Sequence, residues 1–141
     1  MDVGNHVGPL IDADAVKHYV SAIEQCKQQG GQFIVEGGIL AGSGYESGCY
    51  VKPCIAEVQN DWPVLQQEIF APILYLIKYN TIEEAIALQN GVPQRLSSSI
   101  MTLNMREAEQ FLSYEGSNCG IGNVNLGTSG AEIGGTFGRE K

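Results

Sequence analysis

The sequence predicts an α/β fold built on a parallel βαβαβ unit, and three observations carry that prediction. Three short runs, residues 73–77, 96–101 and 121–125, have the length of strands, and the first is a continuous apolar run suited to a central parallel position. Between them lie two helix-start signals. Thr81-Ile82-Glu83-Glu84 has the spacing of a capping box, and Asn104-Met105-Arg106-Glu107 opens the second helix. Right-handed crossovers would make the three strands parallel neighbours. No internal repeat, low-complexity tract or linker interrupts residues 1–141, so a single α/β domain is expected.

Taken in order, residues 1–10 read as irregular, with Gly4, Gly8 and Pro9. Asp12 or Asp14 can cap a helix that runs to about Gln29, where Gly30-Gly31 stops it. Val16, Val20, Ile23 and Cys26 keep helical spacing along it and predict one buried face. Residues 33–35 follow as a short strand, and residues 37–48 are a glycine-rich connection. Gly42-Ser43-Gly44 within it lacks the third glycine and the strand–helix context of a dinucleotide fingerprint. Residues 49–58 read as a strand interrupted by Pro53, which places it at a sheet edge. After the first regular strand, a helix should end near Gly91. The next helix should bury Ala108, Phe111 and Leu112 and stop before Gly116.

Composition narrows the function. The 141 residues are 43% hydrophobic and carry a net charge of −8, enough for a domain with its own core. That charge, with no Lys/Arg cluster, gives no support to nucleic-acid binding. No apolar run approaches the roughly 20 residues that span a bilayer, and the first eight residues do not read as a signal peptide. The cytoplasm or an organelle matrix is expected. Cys26, Cys49, Cys54 and Cys119 show no CxxC spacing, and neither His6 nor His18 has a partner at ligand spacing. Free, partly buried thiols in a reducing compartment are expected, and no metal site.

Two stretches offer chemistry. Residues 121–126 read as a strand emptying into a loop, residues 127–138, with five glycines in twelve positions. Such a loop at the carboxyl end of a buried strand can turn backbone N–H groups toward a ligand, or it can be an ordinary flexible surface loop. In Gln67-Glu68-Ile69-Phe70-Ala71-Pro72 a carboxylate precedes an aromatic by two residues. It could accept from a ribose hydroxyl pair beside a flat apolar surface. The plain alternative is a helix-end Glu followed by a core Phe.

Glu68-Ile69-Phe70-Ala71-Pro72 resembles the Glu-x-Phe-x-Pro segment of aldehyde dehydrogenases. Leu96-Ser97-Ser98-Ser99-Ile100, Asn123-Val124-Asn125 and the Thr128–Gly138 loop are similar to the antiquitin branch, the α-aminoadipic semialdehyde dehydrogenases. Gly8-Pro9-Leu10 and Tyr50-Val51-Lys52-Pro53 match that branch too, so the similarity is continuous from about residue 8 to 138. The resemblance implies that Glu68 binds the nicotinamide-ribose hydroxyls of NAD, or of NADP, and that Phe70 packs near the nicotinamide. It also implies that Ser129, with the backbone of Gly130 and Ala131, anchors a distal carboxylate of the aldehyde substrate. A hydroxyl and inward N–H groups suit that task without adding a competing acid.

The same resemblance marks departures. The family's nucleophilic cysteine lies in a Gly-Gln-x-Cys context and its general base in Glu-Leu-Gly-Gly; neither occurs here, and Glu36-Gly37-Gly38 is a superficial echo. The branch's Arg beside the nucleophile is missing, and Arg139 stands where a glycine is expected. No catalytic residue is therefore assigned within this chain. By this resemblance it corresponds to roughly the carboxy-terminal third of such an enzyme, less its tail, with no Rossmann domain. It should be inactive alone and should not hold NAD stably. A homo-oligomer, or association with the missing portions, is expected. The alternative is a non-catalytic binding or subunit-association module that keeps the fold.

Overall fold

The computed structural model describes residues 7–129 of a chain that divides into two units, Met1–Ile77 and Lys78–Lys141. In the first unit, helix α1 (Ala13–Gln28) packs on a three-stranded sheet of β1 (Gln32–Val35), β4 (Cys54–Glu57) and β5 (Ile73–Leu76), in the order β1-β4-β5. A two-stranded ribbon, β2 (Gly38–Ile39) with β3 (Val51–Lys52), completes it. The second unit holds α2 (Ile82–Asn90), β6 (Ser97–Ile100), α3 (Met105–Leu112) and β7 (Ile121–Val124), with β6 and β7 paired in parallel. Helices alternating with parallel strands confirm the α/β class. No helix among the described residues is long and apolar enough to cross a membrane.

Helix α1 forms where its signals place it. The Asp12 carboxylate accepts from the Ala15 N–H at 2.8 Å, satisfying one of the orphan donors of the first turn. The helix stops where Gly30 takes φ +93° and the Gly31 N–H reaches the Cys26 carbonyl at 2.8 Å. Its inner face carries Val16, Tyr19, Ala22, Ile23 and Cys26, all buried. Val16, Tyr19 and Ile23 meet Val51 and Cys54, while Ala22 and Cys26 meet Ala56, Val58 and Val64. The Tyr19 hydroxyl ties this layer together. It donates to the Lys52 carbonyl at 2.6 Å and accepts from the Gly38 N–H at 2.9 Å. Next to it, Gly37 must be glycine, because a Cβ there would lie 2.3 Å from Tyr19 Oη and 2.6 Å from Ile23 Cδ1.

Three expectations are corrected. The Cys54–Glu57 strand is the centre of its sheet and not an edge, since it pairs antiparallel with β1 and parallel with β5. Pro53 costs no ladder bond because it falls between β3 and β4; the next N–H, of Cys54, is taken by the Pro72 carbonyl at 3.0 Å. Strand β5 has β4 as its parallel partner where β6 was expected, in the register Cys54↔Ile73 to Glu57↔Leu76. Its alternate residues Leu74 and Leu76 are exposed, so the continuous apolar run is covered on one face only in this chain. On α3, Phe111 is buried and Ala108 half-buried as predicted, but Leu112 is 53% exposed.

The four cysteines are free, with Cys26 and Cys54 buried and Cys49 and Cys119 half-buried. Burial pushes the Cys26 and Cys54 thiols up. It also raises the Tyr75 phenol, whose hydroxyl is buried beside the Cys26 thiol and meets no hydrogen-bond geometry among the described residues. Neither Cys26 nor Cys54 has the depressed pKa of an activated thiol nucleophile.

Candidate functional site

The Glu68–Phe70 stretch joins a 3₁₀ turn, Pro63–Gln66, to β5. Its base is fixed from three sides. Val64 in the turn is fully buried, Ile69 packs against the same core, and the Pro72 carbonyl is bonded to β4. With Ile69 turned inward, Glu68 and Phe70 face outward on either side of it. Phe70 has φ +53° and is 71% exposed. A bulky residue in the left-handed region is strained, by roughly 1–3 kcal/mol, and such strain concentrates at ligand-binding positions. The reading of Phe70 as a core residue does not hold. The stretch presents a carboxylate acceptor and an aromatic face on a rigid base. A diol beside a flat ring fits those two groups.

The second candidate leaves the end of β7. Strands β6 and β7 are aligned Ser97↔Ile121 through Ile100↔Val124, so Ser97, Ser99 and Asn123 share one face of the pair. Residues 126–128 fold back over that face. The Ser99 hydroxyl donates to the Leu126 carbonyl, the Asn123 amide to the Gly127 carbonyl at 3.2 Å, and the Ser97 hydroxyl to the Thr128 carbonyl at 3.1 Å. The reversal is made by Asn125, at φ +55°, whose side chain accepts from the Thr102 N–H at 2.9 Å and donates to its carbonyl at 2.8 Å. Asparagine tolerates that backbone better than most residues. Ser129 is exposed directly after this clamped segment. Gly130 and Ala131 lie outside the described residues.

On the opposite face of β6, Ser98 is buried, with its hydroxyl 2.7 Å from that of Ser117 and 3.3 Å from the Ile121 carbonyl. The Gln89 amide donates to Ser117 at 2.7 Å, which ties the end of α2 to the same network. Sequence reading did not anticipate these roles for Ser97, Ser99 and Asn123. The signal was present in the small polar residues within the two strands, Ser97 to Ser99 and Asn123. Glu68 and Phe70 belong to the first unit and Ser129 to the second. Among the described residues no cluster of His, Cys, Asp or Glu could hold a metal. Gly42-Ser43-Gly44 lies in the connection from β2 to β3, an antiparallel pair, where a phosphate-binding fingerprint would lead from a strand into a helix.

Comparison with known proteins identifies the family. Aldehyde dehydrogenase family 7 member A1 of Pisum sativum is 45% identical over 141 residues, which is all of this chain and 27% of that protein. Alpha-aminoadipic semialdehyde dehydrogenase of Mus musculus is 45% identical over 135 residues, 95% of this chain and 24% of that protein. The crystal structure of PnpE from Pseudomonas sp. WBC-3 superposes with a TM-score of 0.88 at 26% identity, covering 99% of this chain and 28% of that one. PnpE has also been solved in complex with nicotinamide adenine dinucleotide. The chain spans about a quarter of the length of the curated relatives it matches. The family pattern described as "Aldehyde dehydrogenase family" matches residues 1–140, and the chain belongs to that family.

Proposed function

We propose that this chain supplies two binding elements of an NAD(P)-dependent aldehyde dehydrogenase similar to the α-aminoadipic semialdehyde dehydrogenases, which would oxidise an aldehyde to a carboxylic acid. Glu68 accepts from the nicotinamide-ribose hydroxyls and Phe70 packs beside the nicotinamide. Ser129, with the backbone of Gly130 and Ala131, anchors the distal carboxylate of the substrate. The observation that carries the reading is the strained, outward presentation of Phe70 next to an exposed Glu68, on a base anchored by the buried Val64 and the half-buried Ile69. When bound, NAD would supply the hydride acceptor. The chain's own residues orient the ribose and the substrate.

Chemistry also needs a thiolate to attack the carbonyl and a base to activate the water that frees the acyl group. The cysteines here lack the family's nucleophile context, and Cys26 and Cys54 are buried with raised pKa values. We therefore assign the chain no catalytic residue and expect neither turnover nor stable NAD binding by it alone. The four free thiols suit a reducing compartment, the cytoplasm or an organelle matrix. A second reading, a non-catalytic subunit-association module, draws support from the exposed apolar residues of β5 and α3.

The test is kinetic. A full-length relative carrying this segment in place of its own should oxidise aldehydes, and Ser129→Ala in it should weaken semialdehydes with a distal carboxylate by about ten-fold or less while sparing simple aliphatic aldehydes. Equal effects on both classes would remove the anchor assignment. The unfused chain should form no NADH. A steady NADH signal lost on mutating one cysteine, Cys119 being the first to try, would overturn the non-catalytic assignment.

A further inference from the structure

Three consecutive carbonyls, of Leu126, Gly127 and Thr128, are each held by a different side chain on one face of the β6–β7 pair. In a planar trans peptide, the carbonyl of one residue and the N–H of the next point in opposite directions. Tying those three carbonyls down onto the sheet therefore turns the N–H groups of Gly127, Thr128 and Ser129 away from it. Among the described residues none of these three N–H groups has a hydrogen-bond partner. The clamps are short side chains on paired strands, so they fix the peptide planes more firmly than a loop alone could. The three donors then share one orientation, set from beneath, and the exposed Ser129 ends their row.

We propose that Ser97, Ser99 and Asn123 are positioning residues that set the N–H groups of residues 127–129 as a carboxylate-binding edge. The proposal rests on the anchor reading of Ser129 and extends it to residues that never touch the substrate. Ser98, on the opposite face of β6, bonds to Ser117 and to the Ile121 carbonyl and has a purely structural part. The strand thus separates two roles by its alternation, odd-numbered serines serving the loop and the even one the core.

The experiment uses the whole 141-residue chain, labelled with ¹⁵N, and follows the amide signals of Gly127, Thr128 and Ser129 during titration with glutarate. Neutral glutaramide is the control. Glutarate should give saturable shifts at those amides, and glutaramide none. Ser97→Ala and Ser99→Ala should each weaken the apparent Kd by about three- to ten-fold, the effect of losing one neutral hydrogen bond. Ser97→Thr and Ser99→Thr, which keep the hydroxyl, should restore most of the affinity. Ser98→Ala should lower thermal stability and leave the Kd nearly unchanged, and the same spectra show whether each variant is folded. Wild-type affinity in both Ser→Ala variants would overturn the positioning role while leaving the anchor intact. No glutarate response in the wild-type chain would overturn the two together.

Discussion

At the scale of single residues, two positions show how local backbone demands shape this chain. Gly37 sits where any Cβ would press on Tyr19 Oη, Ile23 Cδ1 and, at 3.0 Å, Cys54 Cβ. None of these can swing away easily, because Tyr19 is fully buried and holds two backbone groups. Gly37→Ala is expected to destabilise the chain by about 1–3 kcal/mol, the usual cost of overpacking, read as a lower urea midpoint at unchanged slope. A shift of less than about 0.5 kcal/mol would contradict the packing described. Phe70 is the opposite case. Its left-handed backbone is a cost to the fold that exposure of the ring does not offset. Phe70→Gly should therefore leave stability unchanged or raise it by up to about 1 kcal/mol. A clear loss of stability would show that the ring packs as a core residue, and would remove the strain argument for its role.

At the scale of elements, the capping chemistry was legible and the neighbours were not. Asp12, Thr81 and Asn104 each cap a helix as their spacing indicated, with the Thr81 hydroxyl accepting from the Glu84 N–H at 3.2 Å. These are contacts within four residues, so local sequence contains all of their physics. The partner of β5 depended on pairing across residues 54–76, which no local pattern encodes, and Pro53 misdirected the reading by looking like a strand interior. The Glu-x-Phe-x-Pro stretch was visible as a motif, but the inward turn of Ile69 that exposes its two flanks required the tertiary structure. The serine clamp was hidden for the same reason, since it needs β6, β7 and the returning loop together.

Helix α2 gives a pH prediction at this scale. The Asn80 backbone N–H, 2.7 Å from Glu84 Oε2, and the Asn80 side-chain amide at 3.1 Å hold the Glu84 carboxyl below the ordinary carboxylate range. A carboxyl whose folded pKa is depressed contributes stability above its unfolded value of 4.5, and loses it as pH falls through the folded value. The first turn of α2 should therefore fray on acidification below pH 4.5, seen as faster amide exchange there, and Glu84→Ala should reduce the pH dependence, leaving the part due to Glu83, whose carboxyl the Gln110 amide also holds down. NMR titration of Glu84 at or above the ordinary carboxylate value would contradict it.

At the scale of the whole molecule, each unit leaves apolar surface uncovered. Ile34 and Leu74 are exposed in the first, and an open groove of about 400 Å³ beside α3 in the second is lined by Leu103, Met105, Ala108, Leu112 and Val124. Patches of this kind favour association. The chain in solution is expected to self-associate and to bind a hydrophobic dye, and light scattering that showed a strict monomer without dye binding would contradict this. Membership of the aldehyde dehydrogenase family rests on nearly the whole chain, whereas the proposed use in cofactor and substrate binding rests on a few side chains.

The most direct test of that use is the apparent Km for NAD in a full-length relative carrying this segment, with and without Glu68→Gln. Replacing a charged acceptor by an amide weakens a hydrogen bond worth roughly 1.5–3 kcal/mol, so Km for NAD should rise about ten-fold or somewhat more, with the melting temperature little changed. An unaltered Km for NAD in the folded Glu68→Gln enzyme would contradict the assignment of this stretch to the nicotinamide ribose.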